Sequence, residues 1–377
     1  MPIRTLCLVA LAFAAAAPAS GQDRSALRDT LQRKLDSLRV AQRIPGLTLG
    51  VALPDGSTIA LASGQSDTAR HLPMKPSDRM LQGSVGKTYV AAVAMQLVHE
   101  GKLKLDEKVS AYLGKEPWFN RLPNAADITV RQLMNHTSGL VRYEFNPKFT
   151  ADLRANPVRE WTHVEQLSYL FDSKAEFAAG QGWDYSDTNY IVLGMIIERL
   201  TGGTYYAELK RRVLDPLKLS NTIPSDRIDL PGVINGYAGP KNDLGGYDAS
   251  IVDGKFAVNP KFEWTGGGIA SSADDLARWS WMLYQGKAFD PSMLPVMLTG
   301  VPSRLGPNAQ YGLGVILRPT PYGDSYGHSG FFPGYATEMR YYPSLKVAVA
   351  IQANVTDPYP RLAGFLNEVA KVVQASR

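Results

Sequence analysis

Cysteine is almost absent from this sequence: among 377 residues the one example is Cys7. It lies in an apolar segment, residues 6–17, which follows Arg4 and precedes small residues that fit a cleavage site. This order predicts a secretory signal peptide over residues 1–21, and export to the periplasm or the medium. The mature chain would then contain no cysteine, which excludes disulfides and thiol chemistry.

Long apolar runs are also rare. After the N-terminal segment, no stretch reaches the roughly 20 consecutive apolar residues of a transmembrane helix, so the alternative to export is an uncleaved N-terminal anchor. Lysine and arginine number 40 against 35 aspartates and glutamates, and the two signs are interspersed. Because no basic cluster exists, we expect no nucleic-acid partner, and contact with a membrane would be peripheral at most.

Patterns that bind metals or phosphates are missing too. There is no His-Glu-x-x-His sequence and no cysteine cluster, so we expect neither a metal nor another cofactor. Gly86-Lys87-Thr88 resembles the end of a phosphate-binding loop, but Leu81 stands where that motif requires glycine. Gln82 likewise excludes a Gly-x-Ser-x-Gly nucleophile elbow.

Both ends of the chain show strand patterns next to a helical pattern. Leucines recur at helical spacing in residues 25–42, and two short β-like runs follow at 47–53 and 58–62, joined by a turn sequence. Three more β-like runs lie near the other end, and the chain closes with an amphipathic helical pattern: 312–318, 336–342, 347–352 and 361–374.

The middle of the chain is predicted to be mainly helical. Residues 84–99 are apolar on all sides, which is typical of a helix in the interior of a large protein. Further helices are predicted at 130–134, 162–171, 190–200, 205–213 and 273–284. Residues 226–262 are rich in glycine, proline and aspartate, and are predicted to be loop with fragments of strand.

This order predicts an α/β (α+β) fold in which one antiparallel sheet uses both ends of the chain and is flanked by the terminal helices. Its α/β domain would comprise residues 24–95 and 291–377, and residues 96–290 would form a mainly helical domain. A mature chain of about 355 residues is long enough for two such packed units.

Ser84-Val85-Gly86-Lys87 places a hydroxyl and an amine one helical turn apart on one face. A serine is a weak nucleophile until a base takes its proton, and a buried lysine can be that base because burial lowers its pKa. The spacing therefore indicates acyl transfer through a serine ester. The alternative is a solvated helix face.

Two later segments could complete such a site. Tyr185 precedes a predicted helix and could reach a nucleophile, although a packing role is the alternative. His328-Ser329-Gly330 lies between two predicted strands, where glycine permits close approach of the backbone to a ligand. A free strand edge there could pair with an extended substrate and offer an N–H to an oxyanion; the alternative is a glycine-rich hairpin.

Together and in this order, these segments resemble the signature of the penicillin-recognising serine hydrolases. That superfamily includes class C β-lactamases, soluble DD-carboxypeptidases and β-lactamase-like esterases, and its motifs are Ser-x-x-Lys, Tyr-x-Asn and Lys- or His-Thr-Gly. Flanking segments are similar as well: residues 100–106, 133–140, 266–277 and 311–314. The resemblance implies the β-lactamase/transpeptidase-like fold.

The resemblance also implies roles. Ser84 would carry the acyl group, Lys87 would hold or take its proton, and Tyr185 would relay that proton to the leaving group. The N–H groups of Ser84 and Phe331 would form an oxyanion hole. His328, Ser329 and Gly330 would bind substrate, and His328, as a cation, would favour the tyrosinate and attract a substrate carboxylate.

Two positions depart from the family pattern. Asp187 replaces the asparagine of the second motif, and an ionised carboxylate only accepts hydrogen bonds. It could hold Lys87 as an ammonium but could not donate to a substrate amide. Phe331 stands where a hydroxyl residue often helps to bind substrate, and it makes the cleft more apolar. Arg318 is a candidate carboxylate anchor, with a solvated arginine as the alternative.

The resemblance thus implies an exported serine hydrolase that transfers an acyl group to water through an ester on Ser84. The expected activity is like that of a DD-carboxypeptidase on D-amino-acid peptides or related amides. The alternatives are a β-lactamase-like carboxylesterase, a β-lactamase, and a non-catalytic penicillin-binding or sensor protein. The partner would be a small-molecule or peptide substrate, and the sequence indicates no oligomeric state.

Overall fold

The computed structural model describes residues 21–239, 242 and 248–376. The predicted signal peptide therefore lies outside the described residues, except for Gly21. Within the described ranges, no helix combines the length and the apolar character needed to cross a bilayer.

The helices follow one another mainly in the first three quarters of the chain. They are α1 (Gly21–Gln42), α2 (Lys87–His99), α3 (Ser110–Leu113), α4 (Val130–Met134), α5 (Pro147–Ala155), α6 (His163–Ser168), α7 (Asp187–Thr201), α8 (Tyr205–Leu209), α9 (Ala273–Tyr284), α10 (Leu294–Met297) and α11 (Ala363–Ala375). Short 3₁₀ turns lie at Gly83–Gly86, Phe119–Arg121, Tyr143–Phe145, Pro260–Gly266 and Pro291–Met293, and a π-helical turn, Lys210–Leu214, continues α8.

The strands lie near the two ends of the chain and in short pieces between. They are β1 (Gly46–Ala52), β2 (Thr58–Asp67), β3 (Leu72–Pro73), β4 (Met80–Leu81), β5 (Thr222–Pro224), β6 (Ile251–Val252), β7 (Lys255–Phe256), β8 (Ile269–Ser271), β9 (Val301–Pro302), β10 (Gln310–Tyr311), β11 (Ile316–Thr320), β12 (Gly323–Phe332), β13 (Tyr335–Tyr342) and β14 (Val347–Ala353).

One antiparallel sheet joins the two ends of the chain, as the sequence predicts. Its strand order is β3-β2-β1-β14-β13-β12-β11-β10-β9, and the ends meet where Leu47 of β1 pairs with Ala353 of β14. The prediction missed β12, the long strand that contains His328. Its sequence is rich in glycine and polar residues, so its strand conformation depends on pairing with β13 and β11.

The terminal helices α1 and α11 pack together on one face of the sheet. Their buried leucines, such as Leu31 and Leu366, form a core with Val349 and Ile351 of β14. All seven residues of β1 and of β14 are buried, because α9 covers the opposite face of these strands. This double cover explains why both strands read as continuous apolar runs rather than alternating ones. The predicted fold class is confirmed.

The position of α9 differs from the predicted division of the chain. Residues 96–290 were expected to form the helical unit, yet α9 lies on the sheet. Gly50 of β1 makes this possible, since a Cβ there would lie 2.0 Å from the carbonyl oxygen of Ala273. The sequence pattern of α9 shows that one face is buried, but it does not identify the surface that buries it.

Helix α2 lies between the sheet and the helical part of the chain, in the interior position that its apolar sequence predicts. Tyr89 stacks on Trp279 of α9 with ring centroids 4.2 Å apart, and the Trp279 indole N–H donates to Thr88 Oγ1 at 2.8 Å. Other faces of α2 contact α7 and α8. The N-terminus of α2 is thereby held at the junction of the two parts.

Substitution of Gly50 tests the close contact between β1 and α9. We expect Gly50→Ala to lower the free energy of unfolding by about 2 kcal/mol or more, because backbone atoms of α9 cannot move aside as a flexible side chain would. Urea denaturation would measure the change. The control is Gly364→Ala in α11, where a Cβ meets no atom within 4 Å. Equal stability of the two variants would contradict this packing.

Candidate active site

Ser84 lies on the 3₁₀ turn that precedes α2, and not on the α-helix itself as the sequence pattern suggests. Gly83 has a φ of +52°, and a Cβ there would lie 2.4 Å from the carbonyl oxygen of Phe331. A Cβ on Gly330 would lie 1.9 Å from the carbonyl oxygen of Gln82. The turn therefore touches β12 through two glycines, which brings the backbone of Ser84 beside that of Phe331.

Strand β12 has a partner on only one side in this region. Its pairing with β11 ends at Gly327, whereas its pairing with β13 continues to Phe332. The edge from His328 onward therefore faces the turn that contains Ser84. This agrees with the expected free edge for the last part of the strand only.

Lys87 is fully buried, and its ammonium donates to Ser84 Oγ at 3.1 Å and to the carbonyl oxygen of Gly266. It also forms an ion pair with Asp187. Burial by itself would lower the pKa of Lys87, but the charges of Asp187 and Tyr185 raise it above its ordinary value. The expectation that burial leaves a neutral lysine base is therefore wrong: in the free protein Lys87 is an ammonium.

Asp187 is the first residue of α7, where the helix dipole favours a negative charge. One carboxylate oxygen pairs with Lys87, and the other lies 3.9 Å from a guanidinium nitrogen of Arg142. Burial by itself would raise the pKa of Asp187. The charges of these two cations have the larger effect and bring that pKa below its usual range. Asp187 therefore holds Lys87 as an ammonium, and its charge is already balanced by residues of the protein.

Tyr185 is partly buried beside the same group of side chains, and its hydroxyl oxygen is inaccessible to solvent. Burial raises the pKa of its phenol, and the nearby Lys87 ammonium and Ser84 hydroxyl oppose this only in part, so the pKa stays above its ordinary value. The hydroxyl has no hydrogen-bond partner of good geometry among the described residues. Tyr185 is thus a phenol at neutral pH, and no hydrogen-bond partner among the described residues fixes the direction of its O–H group.

His328 does not provide the cation that the resemblance implies. Its Nδ1–H donates to the carbonyl oxygen of Ser329 at 2.6 Å, and its Nε2 accepts from the Tyr311 hydroxyl at 2.9 Å. Burial, together with the Lys87 charge, lowers the pKa of His328 to about 3. The ring is therefore neutral, no carboxylate of the described residues forms an ion pair with it, and its centroid lies 6.1 Å from that of the Tyr185 ring.

A second histidine, His136, packs against the tyrosine of the site. His136 is buried, and its Nδ1 accepts from the Ser186 N–H at 3.2 Å and from the Asn189 side chain at 3.1 Å. Burial lowers the pKa of His136 well below its ordinary value. Its ring centroid lies 4.3 Å from that of Tyr185, so this neutral histidine fixes the loop that positions the tyrosine.

A cavity of about 610 Å³ opens beside Ser84. Its wall includes Asp187 and Phe331, as the sequence predicts, and also charged residues that no motif indicates, among them Arg142, Glu144 and Glu263. Arg142 Nε donates to Glu144 Oε1 at 2.7 Å.

The predicted carboxylate anchor, Arg318, is not in this wall. Its guanidinium donates to the carbonyl oxygen of Leu305 at 3.4 Å. Arg142, in contrast, is a cation that lines the cavity. It follows segment 133–140 in the sequence, but neither hydrophobic periodicity nor motif spacing indicates a role for it. Only the packing of the 143–145 turn against α7 brings it to the site.

The structure therefore brings together Ser84, Lys87, Tyr185 and Asp187, with the backbone of Gly330 and Phe331 beside them. His328 and Ser329 are not part of the cavity wall. Among the residues that the structure describes, no group of side chains is suited to hold a metal ion. The catalytic roles assigned to these residues stay predictions.

The antiparallel sheet is covered on one face by both terminal helices, and a serine, a lysine and a tyrosine lie where the helical part meets the sheet. This is the fold and site of a penicillin-recognising serine hydrolase. Residues 27–370 match the model of the Beta-lactamase family, and the chain belongs to that family.

Curated relatives are similar over most of this chain. The penicillin-binding protein 4* of Bacillus subtilis (strain 168) is 25% identical over 307 residues, which are 78% of this chain and 65% of that protein. A teichoic acid D-alanine hydrolase of Staphylococcus aureus is 24% identical over 296 residues, which are 78% of this chain and 67% of that protein. The chain thus spans about two thirds of the length of these relatives.

A solved structure is similar along its whole length. The crystal structure of a D-stereospecific amidohydrolase from Streptomyces sp. has a TM-score of 0.77 and 27% sequence identity, and the match covers 93% of this chain and 98% of that one. The chain is accordingly a serine hydrolase of the Beta-lactamase family.

Substitution of Asp187 tests the electrostatic arrangement. Its charge raises the pKa of both Lys87 and Tyr185, and either group must be unprotonated to accept the Ser84 proton. Acylation should therefore become faster as pH rises. Asp187→Asn should move that rise to lower pH by about 1 unit or more, measured as kcat/KM for a p-nitrophenyl ester between about pH 7 and pH 12 with the uncatalysed rate subtracted.

The control for this measurement is Asp172→Asn, which removes an exposed carboxylate that pairs with Arg121. Its pH profile should match that of the unmodified protein. A rise at the same or at higher pH in Asp187→Asn would show that Asp187 does not set the pKa of the base.

Proposed function

We propose that this protein cleaves the amide bond of D-amino-acid amides or peptides through an acyl ester on Ser84. The observation that carries the proposal is the contact between the Lys87 ammonium and Ser84 Oγ at 3.1 Å, with the Tyr185 phenol beside both. An ammonium at this distance stabilises an alkoxide, and a phenol that can lose its proton is the remaining base.

In this mechanism Ser84 Oγ attacks the substrate carbonyl while the tyrosinate form of Tyr185 takes the serine proton. The N–H groups of Ser84 and Phe331 receive the oxyanion, and one such donor typically contributes about 10²–10³-fold in rate. Tyr185 then gives its proton to the leaving nitrogen, so that the C–N bond breaks and the acyl ester remains. Tyr185 then takes a proton from water, whose oxygen attacks the ester carbonyl; the bond to Ser84 Oγ breaks, Tyr185 returns the proton to Oγ, and the acid is released.

The cations Lys87 and Arg142 near Ser84 are already paired with carboxylates of the protein. This favours an amide substrate without a terminal carboxylate over the substrate of a DD-carboxypeptidase. Lys87 is paired with Asp187, and Arg142 is bound to Glu144 and lies near Asp187. A substrate carboxylate would have to compete with these carboxylates. The D-configuration is supported by the names of the relatives, a D-alanine hydrolase and a D-stereospecific amidohydrolase.

A second candidate is a β-lactamase-like carboxylesterase. Phe145 and Phe331 line the cavity and are 69% and 51% exposed, respectively, which gives its wall exposed apolar surface. Such a surface suits an apolar acyl or alcohol group. The ionised Asp187 also cannot donate a hydrogen bond to a substrate amide, which an ester does not require.

Substrate series and mass spectrometry would test the proposal. We expect turnover of a D-alanine p-nitroanilide, slower turnover of its L-enantiomer, and an acyl adduct on the protein. Ser84→Ala should lose at least about 10⁴-fold in kcat and form no adduct, whereas Ser37→Ala, on the exposed side of α1, should change neither.

The outcomes separate the candidates. Turnover of p-nitrophenyl esters without any turnover of anilides would favour the esterase, and a stable penicillin adduct would favour a penicillin-binding carboxypeptidase. Full turnover by Ser84→Ala would overturn both forms of the serine mechanism.

We also propose that the protein is exported after removal of residues 1–21. The support is the order of Arg4, the apolar segment and the small residues in the sequence. Expression in the native host, followed by cell fractionation and intact mass measurement, should find a shortened chain outside the cytoplasm. A full-length chain that stays with the membrane would instead indicate an uncleaved anchor.

A further inference from the structure

One carboxyl group in the wall of the Ser84 cavity has unused hydrogen-bonding capacity. Glu263 Oε2 is buried and has no hydrogen-bond partner among the described residues, whereas the Glu144 carboxyl is bound by Arg142 and interacts with Asp187. Buried polar atoms are nearly always partnered in folded proteins. An acceptor left open in the wall of a cavity therefore indicates that a ligand supplies the donor.

Glu263 is held firmly in its position. The carbonyl oxygen of the preceding residue, Phe262, accepts from Gln166 Nε2 at 2.6 Å and from the Tyr143 hydroxyl at 3.2 Å. The following residue, Trp264, has a φ of 38°, and its ring is stacked on that of His163 with centroids 3.4 Å apart. A bulky residue adopts that conformation only where its surroundings impose it.

Glu263 is also close to the nucleophile. A Cβ on Gly267 would lie 3.0 Å from Glu263 Oε2 and 2.6 Å from the carbonyl carbon of Gly83, the residue before Ser84. In an amino-acid amide the α-nitrogen lies about 2.5 Å from the carbonyl carbon. A substituent on the α-carbon of a substrate attacked by Ser84 is therefore within the region that Glu263 can reach.

The charges in the wall favour a cationic substituent. Lys87 and Arg142 are engaged by Asp187 and Glu144, while no cation of the described chain lies within ion-pair distance of Glu263. Burial raises the pKa of Glu263 to about 8; the charge of Asp187 adds to this effect and the charge of Lys87 opposes it, so the free carboxyl is mainly protonated at neutral pH. A ligand that brings a positive charge would favour the ionised form and supply the counter-ion that this buried carboxylate otherwise lacks.

We propose that Glu263 binds the free ammonium group of the substrate next to the scissile carbonyl. An ammonium offers three donors, and one of them would meet the open oxygen of Glu263. This rests on the proposed function and narrows its substrate class to D-amino-acid amides with an unblocked α-amine.

The first test uses the unmodified protein. D-alaninamide should inhibit hydrolysis of p-nitrophenyl acetate competitively, and N-acetyl-D-alaninamide should bind at least about 30-fold more weakly, because it leaves Glu263 unpaired. Equal inhibition by the two compounds would overturn the proposal. Since this test reads binding against an ester substrate, it does not depend on amidase activity.

The second test uses Glu263→Gln. The variant should bind D-alaninamide at least about 30-fold more weakly, a larger factor than any change in its kcat/KM for p-nitrophenyl acetate. The matched control is Glu160→Gln, which removes an exposed carboxylate paired with Lys261 two residues from Glu263. A parallel loss of ester turnover and of amine binding in Glu263→Gln would show a structural role and overturn the proposal.

Failure of the proposed function would look different. In that case p-nitroanilides of D-amino acids would not be cleaved, whereas selective binding of D-alaninamide over its N-acetyl form would persist. The amine site and the amidase reaction are thus tested separately.

Discussion

The buried ion pair between Lys87 and Asp187 is the interaction on which the rest of the site depends. A fully buried lysine is unfavourable unless its charge is balanced, and removal of one partner of such a pair typically costs about 3–5 kcal/mol. The pair joins the start of α2 to the start of α7, so it places the Ser84 turn beside the loop of Tyr185. It also keeps Lys87 protonated, so in the proposed mechanism Tyr185 is the group that exchanges a proton with Ser84.

Close backbone contact is the second constraint. Gly83 and Gly330 let the nucleophile turn and the edge of β12 approach more closely than any side chain would allow. Ser84 and Phe331 consequently lie side by side on two elements that are far apart in sequence. The sheet that makes β12 rigid, through β13 and β14, is completed by β1 from the other end of the chain. The geometry of the site is therefore a property of the whole sheet.

Charged residues in the cavity wall come from turns that surround the serine. The charges of Arg142, Glu144 and Glu263 interact with Asp187. The second departure from the family pattern, Phe331, adds an apolar surface to the same cavity. The candidate nucleophile thus lies beside a wall that combines paired charges, an apolar surface and the unfilled acceptor of Glu263.

The sequence by itself determined the fold class and the helical and strand patterns at both ends of the chain, because periodicity is a local property. It indicated Ser84, Lys87 and Tyr185 as one site through the resemblance of their motifs, in their order, to those of the family. Only the tertiary structure decided the protonation states: burial raises or lowers every pKa, and the net effect depends on which charges lie nearby. The neutral His328, the charged Lys87 and the unpaired Glu263 follow from such neighbours, which belong to segments distant in the chain.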